Sequence, residues 1–158
     1  MAKVWPPGHP AYTRDVNKHQ SIAEALTQDG VLSQHLRAAL PNLLAIYAFG
    51  SQVHGTAGPG SDLDLAVLVA GYADPLELWD LASKLEDIAG CPVDLLDLRA
   101  ASTVMQHQVL MTGRRLWALD ELSAGLFECY VLSAKTDLDE ARAGLLADIA
   151  KDGRVYGR

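Results

Sequence analysis

At 158 residues, 49% hydrophobic and 21% charged, the chain has the make-up of a single globular domain long enough to bury a core. Its net charge of −7 argues against a long phosphate-binding footprint, which needs clustered Lys and Arg, so a tRNA or poly(A) substrate is less expected than a protein or small-molecule acceptor. Two cysteines, no apolar secretion signal and no run of the ~20 apolar residues needed to span a bilayer point to a reducing cytoplasm.

Residues 1–13, with Pro6, Pro7 and Pro10 around Gly8, read as an extended or disordered arm ahead of one domain over 14–158. Helices are expected over about 17–29, ended by Gly30, and over about 32–40, ended by Pro41. Leu43 to Phe49 reads as a strand, Gly50-Ser51 as a tight turn, and Leu63 to Val69 as a second strand with acids at alternate positions near its start. Asp74 opens the best-signalled helix: Pro75 takes the first helical position and Glu77 the capping-box position. Its apolar stripe runs through Leu78, Leu81, Leu85 and Ile88 to a stop at Gly90, so it would connect two strands across one face of a sheet. Cys91 to Leu98 supplies the next strand, residues 100–112 a helix stopped by Gly113, and Arg115 to Leu119 a short last strand. Over 119–151 a helical pair is expected, with Leu122, Leu126, Tyr130 and Ala134 on one stripe and, after a Thr136 cap, Leu138, Ala141, Leu145 and Ile149 on the other. Those stripes either pack on the sheet or leave one face to dock a helical partner. The alternation argues for an α/β domain with a small mixed sheet flanked by helices. Arg114-Arg115, and Lys151, Arg154 and Arg158 near the end, read as short solvated basic clusters; Tyr156 sits in the tail.

The chemistry is concentrated in Gly50-Ser51, a spacer of ten residues, and Asp62-Leu63-Asp64. Alternate residues of a strand share a face, so Asp62 and Asp64 project together while Leu63, Leu65 and Val67 face the apolar side. Adjacent carboxylates repel unless a cation sits between them, and Mg²⁺ suits that role, taking one or two carboxylates and completing its octahedron with water and phosphate oxygens. Gly50 lets the backbone approach a phosphate and Ser51 adds a hydroxyl; if Ser51 opens a helix, the first N–H groups add to an anion site. Asp94 is the preferred third acid, since it lies inside the following strand-like run whereas Asp97 lies near its end. With three carboxylates a two-metal in-line displacement becomes feasible. Gly-Ser alone is turn chemistry and Asp-x-Asp alone a solvated strand end; their joint spacing in a strand context is what carries the reading.

Residues 44–69 resemble the signature of the polymerase-beta-type nucleotidyltransferase superfamily, and residues 91–98 resemble its third-carboxylate strand. The likeness covers roughly residues 31–118 and is nearest to the small minimal nucleotidyltransferases, which often act as antitoxins beside a HEPN-domain ribonuclease toxin. The resemblance implies a polymerase-beta-type fold. It places two Mg²⁺ ions on Asp62, Asp64 and Asp94, activation of the incoming hydroxyl with help from Asp94, and the triphosphate of ATP or another NTP on Gly50 and Ser51. Relatives often carry basic residues just after Gly-Ser, where this chain has Gln52, Val53 and His54, so His54 is the one candidate there for a positive charge. The activity implied is transfer of a nucleoside monophosphate, AMP first among them, to a tyrosine of a cognate HEPN toxin in a hetero-oligomer, the antitoxin half of a type VII-like pair. Two alternatives stand beside it: an antitoxin that neutralises by binding alone, and a small-molecule enzyme of the aminoglycoside-modifying type, which would have to borrow an acceptor pocket.

Overall fold

The computed structural model describes residues 22–152 together with Pro6, Pro7 and Pro10. The rest of the expected arm, residues 17–21 of the first expected helix, Arg154, Tyr156 and Arg158 lie outside the described residues. In chain order the elements are α1 (Val31–Ala39), β1 (Leu43–Phe49), α2 (Ser51–His54), β2 (Leu63–Val69), α3 (Pro75–Ala89), β3 (Val93–Asp97), α4 (Thr103–Thr112), β4 (Arg114–Ala118) and α5 (Glu121–Asp152). No helix among the described residues is long and apolar enough to cross a membrane.

The four strands form one mixed sheet in the order β3-β2-β1-β4, with β1 antiparallel to β2 and β4, and β2 parallel to β3. A parallel pair needs a crossover, and α3 provides it. Its start follows from local chemistry, since the Asp74 carboxylate accepts the Leu76 N–H at 2.8 Å and Pro75 occupies the first turn. Its stop is Gly90, at φ +67°, a conformation that glycine adopts without cost. Leu78, Leu81 and Leu85 are buried on one face of the sheet with Leu36, Ile46, Leu63, Leu65, Val67 and Val93. On the opposite face Tyr47, Phe49, Ala66 and Leu68 pack with Val109 of α4 and with Ala124, Phe127 and Val131 of α5. The sheet is thus buried on both faces by α1 with α3 and by α4 with α5. The strand alternation expected for β2 is borne out: Leu63, Leu65 and Val67 are fully buried on the α3 side.

Two helical expectations are corrected. Residues 22–25 are helical, but the chain then turns through 26–30 rather than continuing to 29, because Thr27 folds its hydroxyl back onto the Glu24 carbonyl at 2.9 Å while its own carbonyl takes the Ser33 hydroxyl at 2.9 Å. The expected C-terminal pair is a single helix of 32 residues. Thr136 does not cap a second helix; its hydroxyl donates to the Leu132 carbonyl one turn back at 3.0 Å, and the Lys135–Asp139 pair at 2.5 Å spans the same turn. Nor does the Leu122, Leu126, Tyr130 stripe pack on the sheet: these side chains are 72%, 63% and 64% exposed, and Ala124, Phe127 and Val131 are buried instead.

A single helix and a capped pair differ in what Thr136→Ala does. At a cap the change costs about 1 kcal/mol. In an exposed helix interior alanine is at least as good a residue, so stability should stay level or rise by a few tenths of a kcal/mol. Urea unfolding followed by circular dichroism decides; a loss near the cap value would return the break to residue 136.

Candidate active site

The site assembles where the C-terminal end of β1 meets the N-terminal ends of β2 and β3. Antiparallel pairing sets Phe49 opposite Asp64, and parallel pairing sets Asp64 opposite Asp94. Asp62 sits one residue ahead of β2 and is exposed, as is Asp94, whereas Asp64 is half-buried. The three predicted carboxylates are therefore brought together on neighbouring strands, on the face opposite α3. Asp97 is not one of them. Its carboxylate is buried and takes the Ala73 and Arg99 N–H groups, each at 2.9 Å, which makes it the clasp of the strand end.

Gly50 follows β1 with φ +75° and ψ −162° and caps the one-turn helix α2, its carbonyl accepting from Val53 and His54. That backbone conformation strains any residue but glycine, and space adds a second constraint. A Cβ at Gly50 would overlap Asp64 Oδ2 and lie 3.0 Å from Asp64 Cγ. The glycine of the motif thus makes room for the carboxylate of the same motif, a reason the spacing alone did not disclose. Ser51 and Gln52 are partly buried and His54 is exposed at the end of the turn. The Gln52 amide donates to the Ser61 carbonyl at 3.3 Å, tying α2 to the residue just before Asp62. Within the spacer, Ser61 Oγ accepts the Gly58 N–H at 2.7 Å, closing a small turn. Arg114, which the sequence marks only as part of a solvated pair, lines a hollow of about 390 Å³ against Gln52, Val53 and Gly55 and donates to the Leu26 carbonyl at 3.3 Å. It is a second basic group beside α2 besides His54, and tertiary packing alone brings it there. Its neighbour Arg115 pairs with Glu121 and, at 2.9 Å, with Glu128. Glu128 also accepts the Tyr47 hydroxyl at 2.8 Å, and burial with this carboxylate pushes the Tyr47 pKa well above its usual value.

Among the described residues the carboxylates of Asp62, Asp64 and Asp94 make neither a hydrogen bond nor an ion pair within the chain. Burial raises the Asp64 pKa above its ordinary value, and the charges of Asp94 and then Asp62 raise it further. An uncompensated row of hard oxygen donors fits a divalent cation such as Mg²⁺. Among the described residues no three acids, cysteines or histidines are placed so that they alone could hold a metal ion.

Residues 32–122 match the Polymerase beta, Nucleotidyltransferase family. The chain belongs to that nucleotidyltransferase family. It is 40% identical to the protein adenylyltransferase MntA of Shewanella oneidensis over 114 residues, 72% of this chain and 81% of the relative. Its fold is similar to a chain of the tri-AMPylated Shewanella oneidensis HEPN toxin in complex with the MNT antitoxin, with a TM-score of 0.62, 32% identity, and coverage of 87% of this chain and 98% of that one. An aminoglycoside (3'') (9) adenylyltransferase of Shigella flexneri is 32% identical over 76% of this chain, but this nucleotidyltransferase spans only 48% of that enzyme's length.

The raised Asp64 pKa has a consequence for stability. A carboxyl whose folded pKa lies above its unfolded one favours folding fully below the unfolded value and loses that advantage as pH rises through the folded value. At neutral pH, ionised Asp64 therefore weakens the fold, and Asp64→Asn should be more stable than the native chain at pH 7, with the gap closing towards pH 3. Urea unfolding in EDTA measures it; an Asn variant that is less stable at pH 7 would mean the carboxylate has a partner.

Proposed function

We propose that this chain transfers an adenylyl group from ATP to a tyrosine hydroxyl of a cognate HEPN-domain toxin and thereby acts as the antitoxin of a type VII-like pair. The observation that carries the reading is the in-register row of Asp64 and Asp94, flanked by Asp62 and fitted against Gly50, in a chain 40% identical to a protein adenylyltransferase. Similarity to a chain from an AMPylated toxin–antitoxin complex supports the partner and the nucleotide.

In this reading Gly50 and Ser51 offer backbone and a hydroxyl to the triphosphate, with His54 at the end of the same turn. Asp62, Asp64 and Asp94 would hold Mg²⁺, which when bound supplies positive charge to the phosphates and acidifies the attacking hydroxyl. Asp94, on the outermost strand, faces the acceptor and takes part in removing its proton. The tyrosine oxygen bonds to the α-phosphorus, the bond from that phosphorus to the β-phosphate oxygen breaks, and pyrophosphate leaves. The rigid sheet fixes the three acids relative to one another, so positioning rather than covalent chemistry is the protein's main contribution.

A small-molecule acceptor is the second reading, favoured by the aminoglycoside-enzyme likeness. The protein-acceptor reading is preferred because the likeness to the protein adenylyltransferase is stronger, at 40% identity over 81% of that relative. Intact-mass spectrometry of this protein and its HEPN-domain neighbour, incubated with Mg²⁺ and each NTP, separates the readings. The neighbour should gain one or more AMP units with the native chain and none with the Asp62→Asn/Asp64→Asn variant. A double variant that still labels its neighbour would sink the site assignment, and a stable complex without mass gain would favour an antitoxin that acts by binding alone.

A further inference from the structure

The outer edge of β3 carries an open stretch of backbone beside an apolar groove that reaches Asp94. The Leu63 N–H donates to the Pro92 carbonyl and the Leu98 N–H to the Val67 carbonyl, each at 2.9 Å. With Leu65 opposite Leu95, this phase turns the backbone groups of Asp94 and Leu96 towards β2 and those of Val93, Leu95 and Asp97 outwards. The chain caps both ends of that edge itself: Glu86 accepts the Val93 N–H at 3.2 Å, and the Asp97 carbonyl accepts the Ala101 N–H at 3.2 Å. Between these caps the Leu95 N–H and C=O have no partner among the described residues. Alongside lies a groove of about 590 Å³ between β3 and α3, whose walls include Trp79, Ala82, Ser83, Leu95 and Asp94. Trp79 is 73% exposed there. The groove carries Glu86, Asp94 and Asp97 and no Lys or Arg, which repels phosphate chains and disfavours RNA.

We infer that the groove is the seat of the acceptor polypeptide, which adds to β3 as an extended strand, pairs with the Leu95 backbone, packs one side chain on Trp79 on the α3 side and turns a neighbouring hydroxyl-bearing side chain to the opposite face, towards Asp94. Another backbone supplies a donor and an acceptor at strand spacing, and an added strand presents successive side chains to opposite faces of the sheet. The acidic lining favours an acceptor segment that is neutral or basic. The inference rests on the transferase reading for the nature of the acceptor, but the seat can be tested apart from the chemistry.

The test uses the full chain with its HEPN-domain neighbour, and a photo-crosslinking p-benzoylphenylalanine replaces either Trp79 or, on the exposed stripe of α5, Tyr130. Crosslinking from position 79 is the expected result, whether or not any nucleotide is transferred. Crosslinking from 130 alone, or from neither, overturns the groove. Crosslinking from 79 in a protein that transfers nothing would leave the groove standing and remove the transferase reading. Where transfer occurs, Ser83→Arg, at an exposed helix position, should raise KM for the protein acceptor about tenfold with kcat within about twofold, the loss of a well-seated contact. An unchanged KM would count against the seat, and an equal fall in kcat with unchanged KM would place Ser83 with the reacting groups instead.

Discussion

The parallel pairing of β2 with β3 is the constraint from which the rest follows. It requires a crossover helix, which α3 supplies and buries against one face of the sheet. It sets Asp94 beside Asp64 without any loop having to hold it there, and it makes β3 the outermost strand. A slip of one residue in this register would turn Asp94 to the α3 side and Val93 or Leu95 out of the core, so the hydrophobic pattern that stabilises the sheet also guards the alignment of the acids.

Charge works against the fold at the same place. Asp64 is partly withdrawn from water, has two acidic neighbours and lacks a counter-charge among the described residues. A protein selected only for stability would neutralise such a group, and other acids of this chain show how: Asp97 is clasped by two N–H groups, and Glu128 by Tyr47 and Arg115. The contrast between satisfied acids and a bare row is the feature on which the proposed metal role of Asp62, Asp64 and Asp94 rests.

Much of this was legible beforehand. Both central strands run from Leu43 to Phe49 and from Leu63 to Val69 as expected, and α3 begins and ends at its expected signals, because apolar alternation and caps are local properties. The placement of the three acids beside one another was legible in the same way, by alternation plus one adjacent strand. What escaped was set by contacts distant in sequence. The fit of Gly50 against Asp64, the Gln52 tie to Ser61 and the approach of Arg114 to α2 join segments whose proximity only the fold determines. The long C-terminal helix was misread for another reason: Thr136 looks like a cap, yet a threonine hydroxyl bonds equally to a carbonyl one turn back. The apolar stripe through Leu122 and Leu126 was misleading because the sheet accepted the rows bearing the smaller Ala124 and the aromatic Phe127.

The geometry of α5 has a mechanical meaning. Its first half is anchored by Phe127 and Val131 in the core and by Glu128, which grips Tyr47 of β1 and Arg115 of β4. Residues 136–152 continue the same rod for about 25 Å at the helical rise, and side chains 141–148 are all exposed. Such a rod is a lever whose fulcrum is the Glu128 grip. A rotation of roughly 0.1 radian there sweeps the far tip, about 36 Å away, by about 3.6 Å, and a load on the tip is returned to β1, the strand that leads into Gly50.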